Sequence, residues 1–383
     1  MQPFSLTVPR DLVFGSDSFE KLGDLAKGLG DKAFVLLLNA PQKDEIRSKV
    51  EKLLSDAGVA GTFADGPAGE PTIQDADETA KLCKDAGCNL VISIGGGSIM
   101  DLGKAVAFLN TNEGSSREYQ MTGRQITNYP IPHIAVSTTS GTGSEGTKVV
   151  VLSNKEEHVK KSIANPRLVP SIAVLDPKLT ATLPKKLTAL TGLDALSHAL
   201  ESFVSLNANP VTEAFSAKAI ELIGRNLKKA VDDGSDLVAR GNMAIGSYLA
   251  GVSLNAGVGA AHILAQPLGA AAGLSHSEAI AAVLPFVVEA NSSYSVEKYA
   301  YCARILDESL KSVSDAEAAA KCSQAFVKFW DDLGVCEKLT KYGLDRSGFD
   351  NVLDIASRST NGIVTNPRKA DREMLIEILE KAL

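Results

Sequence analysis

Apolar and polar positions follow two different textures along this chain. In the first half, short apolar runs alternate with amphipathic stretches. AFVLLLN (33–39) is an unbroken apolar run of strand length, while DEIRSKVEKLLSDAG (44–58) spaces its apolar residues helically behind acids at its start. TIQDADETAKLCKDAG (72–87) repeats the helical pattern with Thr72 as its N-cap. A strand in NLVISIGGG (89–97), a helix over SIMDLGKAVAFLN (98–110) and a strand opening HIAVSTTSGTG (133–143) follow. Strand–helix–strand repetition predicts a parallel sheet with helices on both faces.

After VPSIAVLDPKLTATLPKKL (169–187) the texture changes, and from about Pro184 little reads as strand. TEAFSAKAIELIGRNLKKAV (212–231) and DAEAAAKCSQAFVKFWDDLG (315–334) carry helical periodicity. The chain therefore divides into an α/β domain over 1–183 and an all-helical domain over 184–383. No repeats or low-complexity segments interrupt either part.

Composition sets the class. At 383 residues, 44% hydrophobic and 22% charged, the chain has ordinary soluble globular composition and length for two domains. A net charge of −7 argues against a nucleic-acid or anionic-membrane surface. The N-terminal MQPFSLTVPRDLVFG lacks the basic-then-apolar order of a secretory signal. No apolar stretch approaches the roughly 20 residues of a membrane helix, so a cytoplasmic location is expected. The five cysteines, Cys83, Cys88, Cys302, Cys322 and Cys336, lack metal-ligand spacing and read as small buried hydrophobes.

Chemistry enters through the histidines. Asp194 and His198 stand four apart in TALTGLDALSHALESF, which has no helix breaker, so both side chains face the same way. His262 and His276 flank the Gly/Ala-rich ILAQPLGAAAGLS, long enough to lead from one helix to the next. One carboxylate and three imidazoles suit Fe(II), Zn(II), Mn(II) or Co(II). The alternative is two helix-surface and two loop histidines that never meet. A second signal is Gly95-Gly96-Gly97-Ser98 between strand and helix, where small residues let a phosphate approach the helix N-terminus. It is not the G-x-G-x-x-G fingerprint. The polar loop 137–145 ends the next strand, and in parallel sheets two such loops line one crevice. A tight turn and a solvated loop are the plain alternatives.

Taken together, these segments resemble the iron-containing (group III) alcohol dehydrogenases of the dehydroquinate-synthase-like superfamily. The likeness is carried by 69–107, STTSGTGSEGT (137–147), the Asp194–His198 segment, GVGAAHILAQPLGAAAGLSHSEAIAAVLP (257–285) and NPRKADRE (366–373). It implies a Rossmann-like nucleotide-binding domain, a helical metal-binding domain, and NAD(P)-dependent interconversion of a small aldehyde and its primary alcohol in a homodimer. It places a divalent metal, Fe(II) first, on Asp194, His198, His262 and His276. It sets NAD(H) or NADP(H) against Asn39, Gly95, Gly96, Gly97, Ser98, Asp101, Thr138, Thr139, Thr142, Thr147 and Lys160. The metal would polarise the aldehyde oxygen while the nicotinamide delivers hydride; no catalytic acid or base is assigned beyond the metal centre.

Departures from the family pattern refine the expectation. Gln266 stands where a further histidine is usual and cannot relay a proton at neutral pH. Leu38, followed by Asn39, aligns with a frequent ribose-binding aspartate, which leaves NAD(H) and NADP(H) both open. Val149, Leu254 and the small run 271–273 replace frequent aromatics. Val149, Leu254 and Gln266 therefore line the expected substrate pocket, suited to a short polar or anionic aldehyde. His133 and His158 read as strand-end or surface residues and Trp330 as core. Rival readings are a non-redox lyase of the same superfamily and a catalytically silent sensor or shell protein.

Overall fold

The structure, a computed structural model, describes residues 3–67, 69–157, 159–335, 338–357 and 360–383. His158 and Cys336 lie outside the described residues. Two compact units emerge: Ser5–Thr139 with Gly143–Ala181, and Thr182–Leu383 with Ser140–Thr142 and residues 3–4.

In the first unit, β1 (Asp11–Phe14), β2 (Lys32–Leu37), β3 (Ala60–Asp65), β4 (Leu90–Gly95), β5 (His133–Ser137) and β8 (Ile172–Leu175) form one sheet. Its order is β1-β8-β5-β4-β2-β3, and every pairing in it is parallel. All residues of β4, β5 and β8 are buried, as a parallel sheet covered on both faces requires. Beside it, β6 (Val149–Asn154) and β7 (Val159–Ala164) form an antiparallel pair. The helices are α1 (Leu22–Lys27), α2 (Lys43–Ala57), α3 (Ile73–Asp85), α4 (Gly97–Thr111) and the short α5 (Pro177–Thr180). Thr72 caps α3 as expected: its hydroxyl accepts the Asp75 amide at 3.0 Å and the Asp75 carboxylate accepts the Thr72 amide at 2.8 Å. From β2 the chain passes outward to β3 and then returns to β4 on the other side of β2. The strand order thus reverses between β2 and β4, where open α/β sheets bind ligands beyond the strands' carboxyl ends.

Among its described residues the second unit holds helices and no strand: α6 (Lys185–Val204), α7 (Pro210–Asp232), α8 (Leu237–Ser253), α9 (Ala260–Ala272), α10 (His276–Asn291) and α11 (Val296–Leu306). It continues with α12 (Asp315–Ala320), α13 (Cys322–Leu333), α14 (Phe349–Ala356), α15 (Thr360–Thr365) and α16 (Arg372–Ala382). No single described helix is long and apolar enough to cross a membrane. From Thr188 to Val204 nearly every side chain of α6 is buried, its polar Asp194, His198 and Glu201 included, so this helix is enclosed on all sides. Trp330 is fully buried, its indole N–H donating to the Ala281 carbonyl at 2.9 Å. Cys83, Cys88, Cys302 and Cys322 are buried thiols, and burial pushes Cys83 up to about 12. One expectation changes. The segment after His262 is not a linker but α9 itself, with Pro267 inside the helix; only Gly273–Ser275 connects it to α10. Burial of Ile263, Leu264, Ala265, Pro267 and Leu268 along one face holds the helix across the proline.

Candidate metal centre and nucleotide loops

Three helices deliver the four proposed ligands. Asp194 and His198 are one turn apart on α6, and both are buried. His262 is the third residue of α9 and His276 the first of α10. The place of His276 is fixed locally by a capping box, in which the Ser275 hydroxyl accepts the Glu278 amide at 3.3 Å and Glu278 accepts the Ser275 amide at 3.1 Å. Around Asp194 Oδ1 stand His198 Nε2 at 3.8 Å, His262 Nε2 at 3.9 Å and His276 Nε2 at 3.7 Å. One donor atom from each of the four residues lies within 4.8 Å of all the others. Those separations exceed a hydrogen bond. They approach the edge of a coordination tetrahedron, about 3.4 Å for ligand bonds near 2.1 Å. A carboxylate and three imidazoles spaced in this way fit one divalent ion.

Electrostatics support the same fit. Burial holds His198 below its ordinary pKa, although the Asp194 carboxylate pulls the other way, so the ring stays neutral and able to donate a lone pair. Glu201, which the sequence reading did not single out, lies 2.5 Å from His262 Nδ1. A carboxylate there fixes the ring so that Nε2 turns toward the other donors. Burial alone would raise the pKa of Glu201; the His262 ring and the amides of Gly259 and Ala261 outweigh it and hold the carboxyl low. Its position, seven residues after Asp194 on the same face of α6, was a readable signal.

In the α/β unit, Gly95 to Ser98 join β4 to α4 beside the strand reversal. A Cβ on Gly95 would meet Ile99 Cβ at 2.7 Å, and one on Gly96 would meet the Thr139 side chain at 3.3 Å. Gly95 therefore has no room for a Cβ, and at Gly96 even a Cβ is a tight fit. Thr138 and Thr139 follow β5; Ser140–Thr142, the middle of the same loop, cluster with the helical unit. Asp101 and Thr147 are engaged internally. Lys104, fully buried, reaches Ser144 Oγ at 2.7 Å, Thr147 Oγ1 at 2.8 Å, the Val149 carbonyl at 2.7 Å and Asp101 at 3.4 Å. Asp101 also accepts the Val151 amide at 2.9 Å. Lys104 thus ties α4 to the polar loop, a role its place in an apolar helix concealed. Glu145 in that loop is 1% exposed, and burial, partly countered by Lys104, raises its carboxyl to about 7.

Leu38 and Asn39 follow β2. Leu38 is buried in the sheet core, with its amide donating to the Ile94 carbonyl at 2.9 Å, so only Asn39 is exposed there. Lys160 on β7 is ion-paired with Glu70. His133 opens β5, buried, with Nε2 2.7 Å from Ser93 Oγ; burial, then Lys104, lowers it to about 3. Of the expected pocket residues, Gln266 is exposed one turn beyond His262, Leu254 is half-buried after α8, and Val149 is half-buried at the start of β6.

Known proteins match both halves. Residues 9–177 fit the family profile "Iron-containing alcohol dehydrogenase", and 188–383 fit "Fe-containing alcohol dehydrogenase family, C-terminal". A 1,3-propanediol dehydrogenase of Klebsiella pneumoniae is 35% identical over 99% of this chain and 98% of its own length. A solved 1,3-propanediol oxidoreductase superposes with a TM-score of 0.94 at 34% identity, covering 100% of both chains. The sulfoacetaldehyde reductase of Bifidobacterium kashiwanohense, solved with NAD+, superposes at 0.88 with 26% identity over 100% of this chain and 99% of that one. With both halves matched and relatives aligned almost end to end, the chain belongs to the iron-containing alcohol dehydrogenase family, oxidoreductases that interconvert alcohols and aldehydes with NAD(H) and iron.

Proposed function

We propose that this oxidoreductase reduces a short polar or anionic aldehyde, with Asp194, His198, His262 and His276 holding the metal and the α/β unit holding the nicotinamide nucleotide. The observation that carries the ligand assignment is the three imidazole nitrogens at 3.7–3.9 Å around one carboxylate oxygen. A divalent ion bound there supplies Lewis acidity to the substrate oxygen. The protein's own groups do the rest. Glu201 orients His262, burial keeps His198 neutral, and Gly95–Ser98 open the backbone at the N-terminus of α4 to phosphate. Gln266, four residues after His262, offers an amide donor where an imidazole would supply a proton relay.

The substrate class is supported by that amide, by the small residues 271–273 of the same helical unit, and by relatives named for a diol and for sulfoacetaldehyde. A polar or anionic head could accept from that amide, which an apolar aldehyde could not. A screen of NADH and NADPH oxidation with the iron-loaded enzyme tests this. Sulfoacetaldehyde or 3-hydroxypropionaldehyde should give the higher kcat/KM; equal or better turnover of butyraldehyde would reject the polar-substrate reading. Acidic net charge and cysteines buried as free thiols support a cytoplasmic enzyme, and the family likeness supports a homodimer, which sedimentation would test.

A further inference from the structure

The entry to α9 lacks a cap of its own, because its N-cap residue is Gly259. Two distant side chains take over. Glu201, on α6, accepts the Gly259 amide at 2.9 Å with Oε2 and the Ala261 amide at 2.7 Å with Oε1. Asn366, from the NPRKADRE segment, accepts the Ala260 amide between them at 3.2 Å. Three successive amides, which would otherwise be orphaned donors of a helix start, are thus satisfied from 58 to 106 residues away. The fit is close. A Cβ on Gly259 would fall 2.7 Å from Asn366 Oδ1 and 3.0 Å from Glu201 Oε1, so both polar groups need the bare backbone of glycine.

Each group also reaches a second ligand-bearing helix. Glu201 Oε2 is 2.5 Å from His262 Nδ1 and sits on the helix of Asp194 and His198. Asn366 exchanges two amide hydrogen bonds with Asn291, at 3.0 and 2.8 Å, and Asn291 is the last residue of α10, which His276 begins. Asn291 and Asn366 are both buried. One connected polar cluster therefore joins the three helices that carry the ligands.

We propose that Glu201 and Asn366 are positioning residues of the metal centre: they fix where α9 starts and how the His262 ring is turned. Glu201 sets the ring directly through Nδ1. Asn366 acts at one remove, through the amide of Ala260 and the end of α10. This gives the C-terminal NPRKADRE segment a task in the site, although none of its residues is among the ligands. The inference rests on the four-ligand assignment above.

The test uses the full-length protein stripped of metal. Zn(II) affinity is measured by competition with a chromophoric chelator for the wild type, Glu201→Gln and Asn366→Ser, and the Tm of each metal-free protein is recorded. Glu201→Gln keeps the side chain's volume but loses one acceptor, and should weaken Zn(II) binding by about 10- to 100-fold. Asn366→Ser, reached from a different part of the chain, should weaken it by about tenfold at the same temperature. A lower metal-free Tm with Zn(II) affinity within twofold of wild type in both variants would mean the cluster serves only the fold, and would overturn the proposal. If the wild type itself holds no Zn(II), the four-ligand assignment fails first, and this inference falls with it.

Discussion

Replacing Glu145 by glutamine should change how the protein's stability depends on pH. The carboxyl is 1% exposed, and burial raises it from its ordinary 4.5 to about 7, while Lys104 pulls in the opposite direction. Between those two values the native protein keeps a proton that the unfolded chain has released. The unfolded state then binds fewer protons, so stability must fall as pH rises across that window and level off above about 7. At about 1.36 kcal/mol per pH unit, a span of roughly 2.5 units corresponds to about 3 kcal/mol. Glutamine cannot ionise and nearly matches the protonated side chain in shape. The variant should therefore equal the wild type near pH 4.5 and exceed it by up to about 3 kcal/mol at pH 8. Paired urea titrations at half-unit steps would give the difference directly. A flat difference would refute the reasoning. So would a variant that becomes steadily less stable than wild type as pH rises, because Glu145 would then be an ionised partner of Lys104.

Two further predictions concern the nucleotide. Gly96→Val places branched carbons where even one Cβ would meet Thr139 at 3.3 Å, and should abolish NADH binding by fluorescence titration while circular dichroism shows an intact fold; unchanged affinity would remove the phosphate site from this loop. Asn39→Asp puts a carboxylate at the exposed end of β2 and should raise the NADH over NADPH preference in kcat/KM about tenfold or more, by accepting from the ribose and repelling a 2′-phosphate; an unchanged ratio would mean that the ribose lies elsewhere.

Much of this was readable from sequence, for identifiable reasons. The central strands are continuous apolar runs because both faces of the parallel sheet are buried. Asp194 and His198 could be paired because a helix fixes the geometry of residues four apart. Other elements gave weak signals. The edge strand β3, AGTFAD, is half-exposed and contains little apolar sequence, and β7, VKKSIA, carries two adjacent lysines and is mostly exposed or half-buried. Pro267 and the glycines around it hid α9, so a helix read as a connection. Lys104 escaped because a buried lysine is legible only through partners about 40 residues away. Asn366 is more distant still, since its bond to Ala260 spans 106 residues. Glu201 was available by spacing, but its amide and imidazole partners belong to another helix.

The central claim is that Asp194 and the three histidines hold a divalent ion on which aldehyde reduction depends. The direct measurement is metal content together with NADH-dependent aldehyde reduction, for the wild type and Asp194→Asn, after chelator treatment and again after anaerobic addition of Fe(II). The account predicts about one ion per wild-type chain, activity lost on chelation and regained with Fe(II), and neither ion nor activity in a folded Asp194→Asn protein. Full activity in metal-free wild type, or undiminished metal content in Asp194→Asn, would contradict it.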